Sequence, residues 1–583
     1  MRRIGVFVCH CGFNIAGTVD VDATAETIQE EPQVAFATTY KYMCSQPGQD
    51  LIQQAIAEHN LDGIIVAACS PAMHETTFRN ASASSGLNPY CCEIANIREQ
   101  CSWVHQKEPE KATAKAADTI RTMVAKVAGD EALESLSTPI TRRSLVIGGG
   151  LAGLQASLDI ADAGYPVVLV ERSDHLGGKV AELSGVYINF EGGADLLEGK
   201  VKAVLEHPRI EVLLETELAS LDGYVGNFEA HLKRITQRKA PEGLLEDPEL
   251  ESAAASDEPI KVGAVVVATG YDLFPEKLLG EYGAGQYPDV ISSLEFEHML
   301  ASPDGLRRPS DGRTPKEVVF VQCVRSRDAE RGMPYCSRIC CMYVAKQSRL
   351  YKQQVPDGQA YVFYIDIRSA GKGYEEFTQQ AMEEGVLYIR GRVSKVFPEK
   401  DKIVVWGVDT LTGELVEVAA DLVVLATAAV PSEGAIDLAQ RLRVPTDPYG
   451  FFSEAHPKLR PVESLTAGIY LAGAAQAPKD IPDTVAQASG AAAKVLTLFS
   501  QPELVQEPTV AYVIDEICSG CGICLTACPY DARTRDPYRQ VAVVNAALCQ
   551  NCGACIVACP NKAAQIHNWT ADQILAMIDS LEL

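Results

Sequence analysis

Short runs of apolar residues alternate with amphipathic stretches along most of the chain. This is the pattern of parallel strands buried on both faces and joined by helices. Residues 4–8 and 63–68 are such runs, each leading to a cysteine, Cys9 and Cys69, with a helical pattern over 51–59 between them. Another extended stretch precedes Cys44. Residues 109–136 are charged, Ala-rich and helical in period, and 137–139 read as a linker. A second series opens at 143–147, turns through Gly148-Gly149-Gly150-Leu151-Ala152-Gly153, runs as an Ala-rich helix to Gly164 and returns as a strand at 167–170 that ends on Glu171. Further strands are predicted at 265–269, 317–321, 360–365 and 468–472, with a helix at 342–350. Residues 237–259 break the pattern: they are acidic, rich in Ala and Glu and free of cysteine, and read as a solvated linker. No apolar run approaches the roughly 20 residues of a membrane helix. The first residues read as a strand and not as a cleavable signal, so a cytoplasmic protein without a transmembrane segment is expected.

The cysteines carry the sharpest chemistry. Cys518, Cys521, Cys524 and Cys528, followed by Pro529, form C-x2-C-x2-C-x3-C-P, and Cys549, Cys552, Cys555 and Cys559, followed by Pro560, repeat it. At this spacing three thiolates of each run hold one 4Fe-4S cubane while the fourth crosses to the other. The expected sets are Cys518, Cys521, Cys524 and Cys559 for one cluster, and Cys549, Cys552, Cys555 and Cys528 for the second. Disulfides or zinc are the competing reading of these thiols. The glycine run at 148–153 sits between a strand and a helix, where a pyrophosphate can approach the helix N-terminus through Gly148, Gly150 and Gly153. Glu171, at the end of the second strand, suits a ribose hydroxyl. Farther on, the strand at 317–321 runs into no such cradle; Cys323, Cys336, Cys340 and Cys341 follow it instead. Four thiols there suit a third 4Fe-4S cluster, with a redox disulfide as the alternative.

At 583 residues the chain has room for three or four domains. Its 51 Lys plus Arg against 77 Asp plus Glu, a formal charge of -26, argue against nucleic acid and favour protein partners. Nineteen cysteines bunched at metal-ligand spacings in a long chain point to a reducing compartment.

Leu176-Gly177-Gly178-Lys179, the turn at Gly270 and the late turn Gly473-Ala474 resemble the motifs of two-dinucleotide-domain flavoproteins such as thioredoxin reductase. That likeness, over roughly residues 141–500, implies FAD at the glycine loop and adds Gly178, Lys179, Gly270 and Gly473 to its binding residues. The family usually has Gly-Asp at the late turn, where this chain has Gly473-Ala474. Cys9-His10-Cys11-Gly12, Tyr42-Met43-Cys44-Ser45-Gln46-Pro47-Gly48, Ala68-Cys69-Ser70-Pro71, Asn96 through Trp103, the middle cysteine loop, Ile365-Asp366-Ile367-Arg368, Gly371-Lys372-Gly373-Tyr374-Glu375 and Pro478 through Gln487 together resemble the A-type subunits of heterodisulfide reductase. Methanogen members carry an extra two-cluster ferredoxin that this chain lacks, and many relatives have glycine where Arg325 stands.

The resemblance implies one more cluster in the N-terminal part. Cys9, Cys11, Cys44 and Cys69 are the preferred ligands there, and Cys91, Cys92 and Cys101 are competitors that also suit buried small apolar positions. Four 4Fe-4S clusters and one FAD are therefore expected. The implied organisation is α/β and multidomain. It comprises an N-terminal α/β iron-sulfur domain (1–138), an FAD-binding Rossmann-type core in two parts (139–310 and 421–500), an inserted NAD(P)H-domain-like segment with a cluster (311–420) and an α+β two-cluster ferredoxin domain (501–583). The implied function is flavin-based electron bifurcation or confurcation, with Lys479 next to the flavin as the tuning cation. The implied partners are heterodisulfide reductase B- and C-like subunits, a hydrogenase, formate dehydrogenase or NADH-oxidising module, ferredoxin, and a second copy of the chain. The alternative is a passive relay subunit of the kind linked to adenylylsulfate reductase or benzoyl-CoA reductase. An autonomous NAD(P)H-dependent disulfide reductase is disfavoured by the absent second glycine loop and by the lack of C-x-x-C outside the ferredoxin part.

Overall fold

The computed structural model describes residues 2–235 and 258–581, so most of the expected 237–259 linker lies outside the described residues. The chain divides into two compact units, Met1–Thr138 with Leu504–Leu583, and Pro139–Glu503.

The first unit holds a four-stranded parallel sheet in the order Val34–Tyr40, Ile4–Cys9, Gly63–Ala68, Cys92–Asn96. Ile4–Cys9 and Gly63–Ala68 are buried along their whole length, which is why they read as unbroken apolar runs. Each parallel step needs a crossover, and helices Val21–Gln29, Gln46–His59 and Pro71–Ser84 supply them. The second of these begins five residues before the expected 51. Pro47 is tolerated in a first turn, and Gly48 is required because a Cβ there would lie 2.5 Å from the Met43 carbonyl oxygen. Helix Pro109–Ala128 ends at Gly129, and Leu136–Pro139 is a short strand where a linker is expected.

In the same unit the C-terminal segment pairs Ala511–Val513 with Ala564–Ile566 and Arg533–Arg535 with Ala542–Val544, around short helices Ile523–Thr526 and Ala554–Ala558. Helix Ala571–Asp579, closed by a Thr570/Gln573 capping box, docks on helix Pro109–Ala128. Gln573 Nε2 donates to Asp130 Oδ1 at 2.9 Å, and the fully buried Lys126 ammonium donates to Glu93 at 2.5 Å and Asp130 at 3.0 Å. A lysine buried this deeply is tolerable only because it is paired.

The second unit is built on two large sheets, with smaller two- and three-stranded sheets beside them. Seven strands run in the order Glu454–His456, Arg460–Ser464, Ile469–Leu471, Ala264–Val267, Ser144–Ile147, Val167–Val170, Ile210–Leu213. Five parallel strands run in the order Val290–Ser292, Leu422–Thr427, Glu317–Val324, Gln359–Tyr364, Leu387–Arg390, so this sheet takes strands from outside the 311–420 segment. Helices Leu151–Asp162 and Ile481–Phe499 pack together on the first sheet, and Cys340–Gln354 covers the second. No helix among the described residues is long and apolar enough to cross a membrane.

Candidate flavin cavity and cysteine sites

Strand Ser144–Ile147 passes directly into the glycine loop and then into helix Leu151–Asp162, whose N-terminus has no side-chain cap. Its first N–H groups are therefore left for an anion. Gly148 has φ +112°, and a Cβ on it would lie 2.4 Å from the Ala268 carbonyl oxygen. A Cβ on Gly153 would lie 1.8 Å from the Gly148 carbonyl oxygen, so this glycine seats the helix against the loop. Glu171 accepts from the Gly149 N–H at 2.6 Å and from the Ser173 N–H and hydroxyl at 2.8 and 2.9 Å.

These residues open onto a cavity of about 980 Å³, at the upper end of the size of small-molecule sites. Gly148, Gly150, Glu171, Gly178, Lys179, Gly270 and Lys479 all line it. Gly153 and Gly473 stand behind the wall; a Cβ on Gly473 would lie 2.8 Å from Ala152 Cβ, and Ala474 is the residue that faces the space. Lys179 is tied to Asp272 at 3.0 Å. The open cradle, the uncapped helix end and the cavity's size fit a dinucleotide such as FAD.

Lys479 meets neither neighbouring carboxylate. Asp483 is held by Arg338 at 2.8 Å, and Asp480 caps helix Ile481–Phe499 and accepts from the Tyr374 hydroxyl at 2.7 Å. Lys479 Nζ instead donates to the Gln476 side-chain oxygen and to the Ala477 carbonyl. Burial, reinforced by the nearby positive charge of Arg338, pulls its pKa down to about 8.

On the far wall of the cavity Glu297, Lys346 and Gln347 are all buried. Glu297 accepts from the Lys346 ammonium, from Gln347 Nε2 at 2.6 Å and from the Ser184 hydroxyl at 2.6 Å. Neither member of the Glu297–Lys346 pair carries a local sequence signal; the only trace is a lysine on the apolar face of a helix.

The middle cysteines lie in the second unit. Strand Glu317–Val324 extends beyond the expected 321 and carries Cys323 near its end, with a register shift after Val321. Cys323, Arg325, Arg327 and Arg338 all have φ near +60°, a costly conformation for residues other than glycine that bends the loop sharply. Cys340 and Cys341 open helix Cys340–Gln354. Cys323 and Cys341 both share hydrogen bonds with Cys340, and Cys341 Sγ also accepts the Arg368 N–H at 3.4 Å. The Cys340 contact, helped by Arg327, draws the Cys323 pKa down to about 7 against burial, toward the thiolate a metal centre requires. Cys336 accepts from the Arg338 N–H at 3.3 Å and shares the field of Arg327 with Cys323. The Ile365–Arg368 motif thus buttresses the cysteine loop, since Asp366 also pairs with Arg327.

In the first unit Cys9, Cys11, Cys44 and Cys69 come to the carboxyl edge of the parallel sheet. Cys9 Sγ accepts the Cys11 and Met43 N–H groups at 3.3 and 3.4 Å and lies in the electrostatic field of Cys11 and Cys44. Arg98 donates to Cys11 Sγ at 3.4 Å, and Cys69 feels both of them. Cys91 and Cys92 lie at the amino end of strand Cys92–Asn96, where Cys92 bonds Ser82; Cys101 is buried beside Thr119 at 3.6 Å.

The C-terminal cysteines line two separate hollows. Cys518, Cys521, Cys524 and Cys559 border one, and Cys528, Cys549, Cys552 and Cys555 border the other, so the residues fall into the same two groups as the spacing implies. Among the described residues no three His, Cys, Asp or Glu side chains close around a single ion. A cubane spreads its ligands over its corners, so its cysteines stand wider apart than the ligands of one ion.

A family profile described as FAD dependent oxidoreductase matches residues 145–220, and one described as 4Fe-4S dicluster domain matches residues 511–560. The chain is 41% identical to the second A-type iron-sulfur subunit of CoB–CoM heterodisulfide reductase from Methanopyrus kandleri, over 91% of its own length and 90% of that protein. It is 41% identical to the A-type iron-sulfur subunit of the Methanocaldococcus jannaschii enzyme over 99% of its length and 98% of that protein. It is 40% identical to the A-type subunit of the H(2)/formate:CoB-CoM heterodisulfide,ferredoxin reductase of Methanococcus maripaludis, over 99% and 98%. Thioredoxin reductase of T. acidophilum aligns with 62% of the chain and 98% of its own at 16% identity and a TM-score of 0.41.

Proposed function

We propose, starting from the fact that this chain belongs to the family of A-type iron-sulfur subunits of heterodisulfide reductases, that it is an electron-bifurcating or confurcating component. The chain is an FAD and 4Fe-4S oxidoreductase subunit. Bound FAD would take electrons in a pair and release them singly, and clusters would carry them one at a time.

The observation that supports this reading most is the joint between the middle cysteine loop and the flavin cavity. Arg338, two residues after Cys336, reaches Pro478 O at 3.5 Å and Asp483 at 2.8 Å, on either side of Lys479. Tyr343, one turn after Cys340, is half-buried in the cavity wall within the field of the Cys340 thiol. A cysteine set thus stands beside the cavity where a nicotinamide dinucleotide would need a glycine cradle. Lys479 supplies a positive charge that favours the reduced flavin, and Tyr374 fixes the Asp480 cap next to it.

Cys9, Cys11, Cys44 and Cys69, the middle four and the two C-terminal sets are the ligands of four clusters in this reading. Disulfide cleavage falls to B- and C-like subunits. Electrons enter from a hydrogenase, formate dehydrogenase or NADH module and leave in part to ferredoxin, in a cytoplasmic complex built on two copies of this chain. Names among the relatives include hydrogen, formate and ferredoxin as reactants of their own complexes.

The test is anaerobic composition and reduction of the isolated chain. About sixteen irons and one FAD are expected, and Cys340→Ala should lose one cluster while keeping FAD. NADH or NADPH alone should leave the flavin band unbleached, and an anaerobic titration should give crossed one-electron flavin potentials. Rapid bleaching by either nucleotide would restore the disulfide-reductase reading, and potentials well separated in the normal order would reduce the chain's role to passive relay.

A further inference from the structure

The two C-terminal cysteine runs are near repeats, and the strand after each run begins five residues past its last cysteine, at Arg533 and at Ala564. The repeat therefore puts arginine in one copy where the other has alanine. Arg533 is 6% exposed, and its Nη2 donates to Cys555 Sγ at 2.9 Å. Its Nη1 is buried with no partner, while the side chain lines the hollow bordered by Cys528, Cys549, Cys552 and Cys555. A buried cation with an unspent donor at the wall of one hollow only is an asymmetry that packing does not call for.

Other donors do not even it out. Backbone N–H groups reach both sets: Ala511 donates to Cys549 at 3.4 Å, and Cys559 receives amides of residues 561–564. The hollow bordered by Cys518 also meets a guanidinium, that of Arg535, but this residue is exposed and screened by water. The field of Arg533 extends to Cys524 of that set without a hydrogen bond to it.

Reduction adds one negative charge to a cluster. Hydrogen bonds to its sulfurs and nearby positive charge stabilise that charge, and do so most where water is excluded. We propose that Arg533 makes the two clusters of this module unequal, raising the reduction potential of the one held by Cys528, Cys549, Cys552 and Cys555 above that of its twin. The module is then a directional relay: an electron entering it comes to rest on the Arg533 side, and the cluster of Cys518, Cys521, Cys524 and Cys559 is the stronger reductant. This rests on the reading that each run contributes to a 4Fe-4S cluster.

The experiment is an anaerobic potentiometric titration of the full chain followed by electron spin resonance, with iron content measured on every sample. Cys521→Ala and Cys552→Ala each delete one signal and so assign the two steps. In the native protein the Cys552-dependent step is expected at the higher potential. Arg533→Leu should lower the reduced-to-oxidised ratio of that cluster at a fixed poise at least tenfold, about 59 mV for a one-electron couple. The twin should move less, and Arg533→Lys should keep most of the native value. Coincident steps in the native protein, or an Arg533→Leu shift that is absent or equal in both clusters, would overturn the proposal while leaving the cluster assignment intact. Loss of neither signal in the two cysteine variants would overturn the assignment itself, and the proposal with it.

Discussion

Gly153→Ala and Gly199→Ala are the same change at two helical positions, and they should act in opposite directions. Alanine exceeds glycine in a helix interior by roughly 0.8–1.0 kcal/mol. Gly199 lies exposed in helix Gly193–Glu206 with no atom within 4 Å of a built Cβ, so the full gain of about 1 kcal/mol is expected there. At Gly153 the Cβ would stand 1.8 Å from the Gly148 carbonyl oxygen and 3.0 Å from its carbon, and helix and loop must part by more than an ångström to admit it. The loop cannot simply yield. The Gly148 N–H is bonded to the Val170 carbonyl at 2.8 Å, and the residue is already wedged against Ala268. Overpacking of this kind costs about 1–3 kcal/mol when side chains can give way, and backbone gives way less readily, so the upper end applies. The same displacement moves the N–H groups at the uncapped helix start, which would face the phosphates of bound FAD, and a loss of about 1.4–2.8 kcal/mol there would be a tenfold to hundredfold weaker hold on FAD. Flavin retention after desalting and the thermal midpoint, measured on both variants, check this. A Gly153→Ala protein that keeps its FAD and melts no lower than the native one would refute the argument that this glycine is demanded by contact.

Two further outcomes follow from charges in the cavity wall. Lys346→Met removes the cation from a pair in which both side chains are almost fully buried, and should destabilise the second unit by about 3–5 kcal/mol; the double variant with Glu297→Gln should recover a large part in chemical denaturation, and an unchanged single variant would show the pair to be idle. Lys479, with its pKa lowered to about 8, is charged below that pH and neutral above it. The charge favours reduced flavin, so the flavin midpoint potential should fall more steeply with pH above 8 in the native protein than in Lys479→Met, and parallel slopes would dismiss the lysine as a tuning group. The stability contribution has the matching sign: a folded-state pKa below the usual 10.5 means the cost of burying the cation is present in full below pH 8 and is relieved as pH rises from 8 toward 10.5.

Where chemistry depends on spacing along the chain, the sequence alone determined it. The C-terminal cysteines are read from intervals of two and three residues, because a helical turn and a tight loop fix how far apart such neighbours stand. The cradle at Gly148 to Gly153 is legible for the same reason: strand, turn and helix follow one another without a break, although the Ala268 carbonyl that Gly148 must clear comes just past a strand more than a hundred residues on. The buried strands announced themselves because a strand covered on both faces admits few polar positions. Tertiary structure decided whatever joins residues far apart in sequence. Glu297 meets Lys346 across 49 residues, Arg338 meets Asp483 across 145, and Tyr374 meets Asp480 across 106; none of these side chains carries a mark of its partner. The gathering of Cys9, Cys11, Cys44 and Cys69 also awaited the sheet, because only parallel pairing brings the ends of separate strands to one edge. Lys479 shows the limit most directly. Its neighbours Asp480 and Asp483 offered it ion pairs in the sequence, but the fold commits both carboxylates to Tyr374 and Arg338. The lysine is left half-buried at the cavity, where desolvation and a nearby guanidinium set its charge.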